Sequence, residues 1–133
     1  MRELHELPVM WFERVWNQQD ENAIDELLAP NFVAYGLGEK MTSPDDFKVF
    51  YRKFREAFPD LRVKTEKVVA EGDWAVVRIV AEGSHAGDFE GLAATNSPIH
   101  VDGMVMTRWH NGQIVEAYNS IDMLTLLKQI GAL

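Results

Sequence analysis

The 133-residue sequence contains no cysteine. This excludes disulfide scaffolds, thiolate zinc sites and cysteine nucleophiles together. Long apolar runs are also missing, because no stretch approaches the roughly 20 apolar residues that a membrane-spanning helix requires. The first residues, MRELHELPVMW, alternate charged and apolar side chains and lack the apolar core of a signal peptide. By default we expect a cytoplasmic protein with no membrane partner.

Basic charge is scarce. The chain has 13 Lys and Arg against 21 Asp and Glu, a net charge of −8, and the acidic excess is spread over both halves. No basic stripe is available to neutralise phosphates, so nucleic acid is not expected as a partner. Hydrophobic residues make up 47% of the chain and aromatic residues 11%, which is enough for one folded core. We expect a single domain spanning residues 1–133.

The first half of the sequence has helical patterns. Trp11 belongs to a helical spacing of apolar residues between Glu6 and Asn17, and Asp20 is predicted to cap a short second helix through Leu28 that Pro30 ends. A third helix begins at Ser43-Pro44 with a Ser cap and an early Pro. One face of this helix carries an aromatic stripe, which we interpret as core that a bound apolar ligand could also contact: Phe47, Phe50, Tyr51, Phe54 and Phe58.

The second half is mostly strand. Asn31–Tyr35 predicts a short first strand, and four longer segments rich in Val, Ile, Thr and aromatics follow: Leu61–Ala70, Trp74–Glu82, His100–Trp109 and Gln113–Ile121. Gly72-Asp73 and Asn111-Gly112 predict tight hairpin turns. A longer loop, Ala86–Pro98, joins the middle strands, and a small amphipathic helix closes the chain. Helices followed by hairpin-linked strands predict an α+β domain, in which a strongly curved antiparallel sheet covers the helices and leaves a cavity.

The last two strands carry the candidate site residues. Glu116, Tyr118, Ser120 and Asp122 share one face of the last strand, whereas Val115, Ala117, Asn119 and Ile121 share the other. Met104, Met106 and Arg108 lie on one side of the preceding strand. An apolar surface with a few polar groups is typical of a ligand pocket. Periodicity alone does not decide which face is internal. Both faces are partly apolar, as they would be if a second subunit covered the outer one, so a homodimer is expected.

Asp122 is the leading acid/base candidate, because a carboxyl group at a strand end beside apolar residues can enter a pocket and have its pKa raised by desolvation. The residues by themselves favour a different role for Asp122, as the N-cap of the last helix. Glu116 is predicted to form a structural ion pair with Arg108 across the hairpin. His85 is interpreted either as a hydrogen-bond donor at the pocket rim or as a structural histidine. No set of residues has the spacing of a metal site, so no metal is expected.

Several segments together resemble the SnoaL-like polyketide cyclases, also called predicted ester cyclases, of the nuclear transport factor 2-like superfamily. The resemblance covers nearly the whole chain and combines a Gly-Ser-His-Ala-Gly-Asp-Phe-Glu-Gly run at 83–91 with Glu-x-Tyr-x-x-x-Asp at 116–122. Its other pieces are VWNQQD (Val15–Asp20), ELLAPNFV (Glu26–Val33), FREAFPDLRV (Phe54–Val63), VVAEGDWAVVR (Val68–Arg78), RWHNGQIVEAY (Arg108–Tyr118) and LLKQIGAL (Leu126–Leu133).

The resemblance implies a cone-shaped α+β barrel of the nuclear transport factor 2-like or cystatin-like type, packed on N-terminal helices and forming a homodimer. It also implies a hydrophobic pocket in each subunit. Cyclases of the family close a polyketide ring by intramolecular aldol condensation without a cofactor, and an aspartate that matches Asp122 acts as general acid/base. Tyr35 and Tyr118 depart from the family pattern, which often has His and Trp at these positions. The residues expected to contact the substrate are Tyr118, Arg108, His85, Tyr35, Met104, Met106, Phe54 and Trp11.

The resulting hypothesis is a cofactor-independent cyclase that acts on a small, mostly apolar carbonyl compound in an enclosed pocket. The alternatives are a noncatalytic dimeric protein that binds a small ligand, and a ketosteroid isomerase or epoxide hydrolase type of enzyme on the same fold. The position of Asp122 discriminates between them. If its carboxyl group lies in solvent or only caps the last helix, the enzyme hypothesis loses its central residue.

Overall fold

The computed structural model describes residues 3–133. These residues begin with a continuous helical segment that changes from 3-10 through α to π geometry, and continue with three α-helices and five strands. In chain order the elements are a 3-10 turn Leu4–Glu6, α1 Leu7–Trp11, a π-helical segment Phe12–Asn17, α2 Asn22–Leu27, β1 Leu28–Tyr35, α3 Pro44–Ala57, β2 Arg62–Glu71, β3 Trp74–Ser84, β4 Pro98–His110, β5 Gln113–Ile121 and α4 Met123–Gln129. No helix within residues 3–133 is both long and apolar enough to cross a membrane.

The predicted helix over Glu6–Asn17 is confirmed, but the predicted cap of the second helix is wrong. No side chain caps α2. The Asp20 carboxylate instead pairs with the Arg14 guanidinium at 3.0 Å, and in this pair both the donor and the acceptor carry a charge. Arg14 also pairs with Glu26, and these two carboxylates raise the pKa of Arg14. Pro30 lies inside β1, where it is tolerated because β1 is an edge strand.

Helix α3 is the long helix that packs against the N-terminal helical segment. The predicted Ser43 cap is confirmed, because its Oγ accepts a hydrogen bond from Asp46 N at 3.2 Å. Tyr51 is buried, and its hydroxyl donates to the carbonyl oxygen of Val15 at 2.7 Å. The Arg55 guanidinium donates to the carbonyl oxygen of Trp16 at 2.9 Å. The aromatic stripe of α3 is thereby held against the N-terminal segment as part of the core.

The five strands form one curved sheet in the order β1-β5-β4-β3-β2. The strands β2 to β5 are antiparallel, as predicted, and both predicted hairpin turns are present. Asn111 and Gly112 have φ values of 51° and 77°, which a two-residue hairpin turn of type I′ requires. The edge strand β1 differs from the prediction, because it pairs in parallel with β5. It can do so because a long crossover, rather than a hairpin, joins the two strands.

The helices cover one face of the sheet, and the hydrophobic core lies between the helices and this face. Val77 of β3 and Val105 of β4 point inwards and are buried. Ile24 of α2 and Phe32 of β1 are buried in the same core. Helix α4 packs its Leu126 into the same core. The loop between β3 and β4 returns to the C-terminal end of α3, where Gly87 N donates to the carbonyl oxygen of Ala57 at 3.1 Å. This arrangement leaves the space inside the curved sheet bounded by helices and two loops.

Candidate ligand-binding site

An apolar chamber lies between the inner face of the sheet and the helices, and an open cleft adjoins it. The chamber has a volume of about 90 Å³ and the cleft one of about 850 Å³. Leu37, Phe50, Phe54 and Met123 line both spaces, so the cleft forms the approach to the chamber. Together they form a narrow apolar interior behind a wide entrance.

The chamber walls are hydrophobic, with one amide among them. The N-terminal segment, α3 and the inner face of the sheet supply aromatic and aliphatic side chains, and Asn119 of β5 supplies the amide. Trp11 and Phe54, both predicted to contact a ligand, lie in this wall. The full lining is Trp11, Phe12, Trp16, Leu37, Phe47, Phe50, Phe54, Leu61, Val63, Ile79, Ala81, Ile99, Val101, Val105, Asn119, Ile121, Met123 and Leu126.

The cleft is more polar than the chamber. Lys40, in the loop after β1, and Lys53, on α3, both lie at the rim of the cleft. Glu39, Asp46 and Glu90 are also at the rim. Because charges of both signs are present, the entrance does not select for a ligand of one charge. Phe89, in the loop between β3 and β4, packs edge-on against Phe54 with ring centroids 5.7 Å apart and brings this loop to the entrance.

The structure decides which sheet face is internal, and four of the predicted contact residues are on the other one. Tyr118, Arg108, Met104 and Met106 lie on the outer face, where Met104 is 53% exposed. They are therefore not brought to the chamber, and the interpretation of their face as the pocket face is corrected. Both faces of β4 and β5 carry apolar residues. The alternation of side chains along these strands therefore does not predict which face packs against the helices.

Tyr35 also lies outside the chamber. Its ring stacks on Tyr118 across the parallel pair β1–β5, with centroids 5.1 Å apart, and Lys40 Nζ lies 5.7 Å from the Tyr35 ring centroid. On the same outer face, the predicted ion pair between Arg108 and Glu116 is confirmed at 3.1 Å. The Tyr118 hydroxyl donates to Glu116, and this bond together with Arg108 lowers the pKa of Glu116. These residues form a structural cluster on the outer face.

Asp122 is exposed and caps α4. Its carboxylate accepts hydrogen bonds from Thr125 N at 3.1 Å and from Thr125 Oγ1 at 2.6 Å. These two donors lower the pKa of Asp122, so the expected rise by desolvation is wrong for this conformation. The flanking Ile121 and Met123 line the chamber. The last inward residue of β5 is Ile121, so Asp122 turns away from the interior.

His85 is fully buried at the start of the loop between β3 and β4. Its Nδ1 accepts from Thr95 N at 3.3 Å and lies 2.9 Å from Thr95 Oγ1. The contact with Thr95 N gives Nδ1 the role of a hydrogen-bond acceptor. Within residues 3–133, His85 Nε2 has no hydrogen-bond partner. The ring packs on Phe58, with centroids 5.6 Å apart, and His85 is not among the residues that line the chamber or the cleft.

Asn119 was not predicted as a site residue, although one signal was present. Asn119 alternates with Ala117 and Ile121 on an otherwise apolar strand face, and a polar residue on a core face is unusual. Leu37 was also missed, because a residue in an irregular loop has no periodicity to locate it. The residues that the structure describes contain no group of three or more His, Asp or Glu side chains able to hold a metal ion.

The family model described as SnoaL-like polyketide cyclase matches residues 7–130. Among solved structures, the "Putative SnoaL-like polyketide cyclase" from Jannaschia sp. CCS1 superposes with a TM-score of 0.88 at 25% identity, covering 98% of this chain and 92% of that one. IdmH from Streptomyces antibioticus, named as a "putative polyketide cyclase", gives 0.86 and 25%, with 98% and 99% covered. No curated protein matches the chain in sequence.

A third structure has a different named activity on the same fold. AclR from Streptomyces galilaeus, named as a "putative hydroxylase", superposes with a TM-score of 0.84 at 28% identity, with 98% of this chain and 84% of that chain covered. Proteins with similar folds are thus named for different reactions. The fold therefore does not identify the reaction of this chain, and the residues of the site have to.

Proposed function

Because the chain belongs to the SnoaL-like polyketide cyclase family, we propose that it binds a small, mostly apolar carbonyl compound in the chamber and the adjoining cleft. The observation that carries this proposal is the hydrophobic chamber behind a wide entrance. Burying apolar ligand surface against such walls is favourable at roughly 25 cal/mol per Å². The carbonyl class follows from the relatives named as polyketide cyclases, since polyketides are chains of carbonyl groups.

Binding is tested with the bicyclic ketone 2-tetralone as probe and intrinsic tryptophan fluorescence as readout, because Trp11 and Trp16 line the chamber. We expect saturable quenching, which Ala81→Leu weakens at least about tenfold by filling a space of about 90 Å³. Ala70→Leu is the matched control, since Ala70 is exposed on the neighbouring strand β2. Equal affinities of the wild type and Ala81→Leu would contradict binding in the chamber.

Cyclase chemistry at Asp122 is the second candidate function. Because the carboxylate caps α4 in this structure, this candidate requires Asp122 to break its bonds to Thr125 and to turn towards the chamber, which its two neighbours Ile121 and Met123 line. Once its hydrogen bonds to Thr125 are broken, the Asp122 carboxylate would remove a proton from a carbon next to a carbonyl group of the ligand. The resulting enolate carbon would attack a second carbonyl of the same chain, forming the C–C bond, and the new alkoxide would take the proton back from the Asp122 carboxylic acid. No cofactor enters this sequence.

The first step of that sequence is tested without knowing the natural substrate. In D₂O, a general base exchanges the acidic C–H protons of 2-tetralone for deuterium, which proton NMR follows. If Asp122 is the base, Asp122→Asn lowers the protein-dependent exchange by about 10²-fold or more while 2-tetralone still binds. Thr125→Val, which removes one of the two bonds that hold the carboxylate, keeps or raises the rate. Equal exchange in the wild type and Asp122→Asn rejects the cyclase candidate and leaves the binding proposal standing.

The outer face of the sheet supports a further proposal, that it binds a second copy of this chain. One row of apolar side chains crosses all five strands in register: Val69, Val76, Met106, Tyr118 and Tyr35. Val69 is 62% exposed and Tyr118 39%. A continuous apolar row on an uncovered face is typical of an interface.

The charges beside the apolar row favour a second copy as the occupant. Lys67 and Arg78 lie on one side of the row, where Arg78 also pairs with Asp102 at 3.2 Å, and Glu71 lies on the other side together with the Arg108–Glu116 ion pair. A two-fold axis along the row places Lys67 of one copy over Glu71 of its partner. Sedimentation should therefore give twice 15.2 kDa for the wild type and 15.2 kDa for Met106→Glu. His110→Glu, exposed at the end of β4, is the control, and a monomeric wild type would refute the proposal.

A further inference from the structure

Asn119 is the polar side chain in a chamber wall that is otherwise hydrophobic. It lies on the inner face of β5, two residues before Ile121 and two after the buried Ala117. Its amide carries one donor group and one acceptor oxygen. Which of the two is available inside the chamber depends on how the amide is held.

One of the two N–H groups of the amide is already used. Asn119 Nδ2 donates to the backbone carbonyl oxygen of Tyr35 at 3.0 Å. Because a carbonyl oxygen can only accept, this bond fixes which end of the amide is nitrogen. The end of β1 packs closely against β5 at this point, since a Cβ on Gly36 would lie 1.9 Å from the backbone carbonyl oxygen of Asn119. The bond to Tyr35 is therefore held by close backbone packing.

The acceptor side has no partner within the part of the chain that the structure describes. The hydrogen bond to Tyr35 is the one that the Asn119 side chain makes there, and it leaves Oδ1 and the second N–H of Nδ2 unpaired. We infer that Asn119 Oδ1 accepts a hydrogen bond from a hydroxyl or enol O–H group of the ligand, and that Asn119 selects ligands carrying such a group. This inference rests on the proposed binding function, and it narrows the ligand class to mostly apolar hydroxy- or enol-carbonyl compounds.

The physical reason is that hydrophobic walls cannot orient a ligand, whereas one fixed acceptor can. A ligand that covers Oδ1 without donating leaves it buried and unpaired, at a cost of about 1–3 kcal/mol. A ligand that donates avoids this penalty. Discrimination between two ligands of the same shape should therefore be about 5- to 150-fold.

The experiment compares two matched probes, 2-naphthol, which can donate an O–H, and 2-methoxynaphthalene, which cannot. We expect the wild type to bind 2-naphthol at least about fivefold more tightly. In Asn119→Leu this preference should disappear while 2-methoxynaphthalene still binds, which also shows that the chamber of the variant is intact. In the wild type, the Asn119 side-chain amide resonances should shift with 2-naphthol more than with 2-methoxynaphthalene, a readout that does not depend on how the variant folds.

The outcomes separate this inference from the proposed function. If the wild type binds both probes with equal affinity and the Asn119 amide shifts equally with each, the inference is overturned and the chamber remains a binding site. The inference is equally overturned if Asn119→Leu keeps the preference for 2-naphthol. If neither probe perturbs chamber residues and 2-tetralone also does not bind, the proposed function itself fails.

Discussion

Trp16 connects the N-terminal segment to the aromatic stripe of α3, so its removal should be among the most damaging single substitutions. Its ring lies 4.9 Å from Tyr51, 5.9 Å from Phe54 and 6.3 Å from both Phe47 and Phe50, centroid to centroid. Trp16 is also 6% exposed and lines the chamber. The substitution Trp16→Ala therefore removes a buried side chain and at the same time enlarges the chamber.

The expected loss can be estimated from this environment. Replacing a buried Trp by Ala lowers the free energy of unfolding by about 3–5 kcal/mol, since apolar burial is lost and a cavity remains. For a domain of this size, the midpoint of thermal unfolding should fall by roughly 10–20 °C. Trp16→Phe keeps an aromatic ring among the same partners and should lose less.

Thermal and urea unfolding followed by circular dichroism measure the loss, and indole tests its cause. Because the new cavity has the shape of an indole ring, free indole should bind it and restore about 2.7 kcal/mol at a hundred times its dissociation constant. Val49→Ala, at a position on α3 that is 61% exposed, is the control and should change stability by less than about 0.5 kcal/mol. The reasoning is refuted if Trp16→Ala behaves like Val49→Ala, or if indole stabilises the wild type as much as the variant.

Three further predictions follow from single contacts. Gly87→Ala should lower the thermal midpoint and loosen the loop at the cleft, as seen by hydrogen exchange, because the new Cβ would lie 2.2 Å from the Glu56 carbonyl oxygen. Arg55→Met should lower the free energy of unfolding in urea by about 2–3 kcal/mol, since the guanidinium donates to three backbone carbonyls. Thr125 lowers the pKa of Asp122, so the stability that Asp122 contributes is fully present above its unfolded pKa of about 3.9 and is lost as the pH falls through the lower folded value. The difference in unfolding free energy between the wild type and Asp122→Ala should therefore shrink from pH 7 to acidic pH, and a constant difference would contradict this cap.

Much of the fold could be predicted from local pattern because local physics determines it. Ser43 caps α3 through a bond to a residue three positions later, and the Asn111-Gly112 turn follows from the positive φ values that these residues tolerate. Asp20 shows the limit of this reasoning. Aspartate is a residue type that commonly caps helices, but the fold brings Arg14 close enough to form an ion pair with the Asp20 carboxylate.

The sequence by itself determined the order of helices and strands, the hairpins, the aromatic stripe and the exclusion of thiol chemistry, because each depends on neighbouring residues or on composition. Only the tertiary structure decided which face of β5 is internal, since both faces carry apolar residues and only the packing of the helices distinguishes them. That decision places Tyr118 outside and Asn119 inside. It also makes Asp122, which follows the inward Ile121, an exposed cap of α4, with its carboxylate bonded to Thr125.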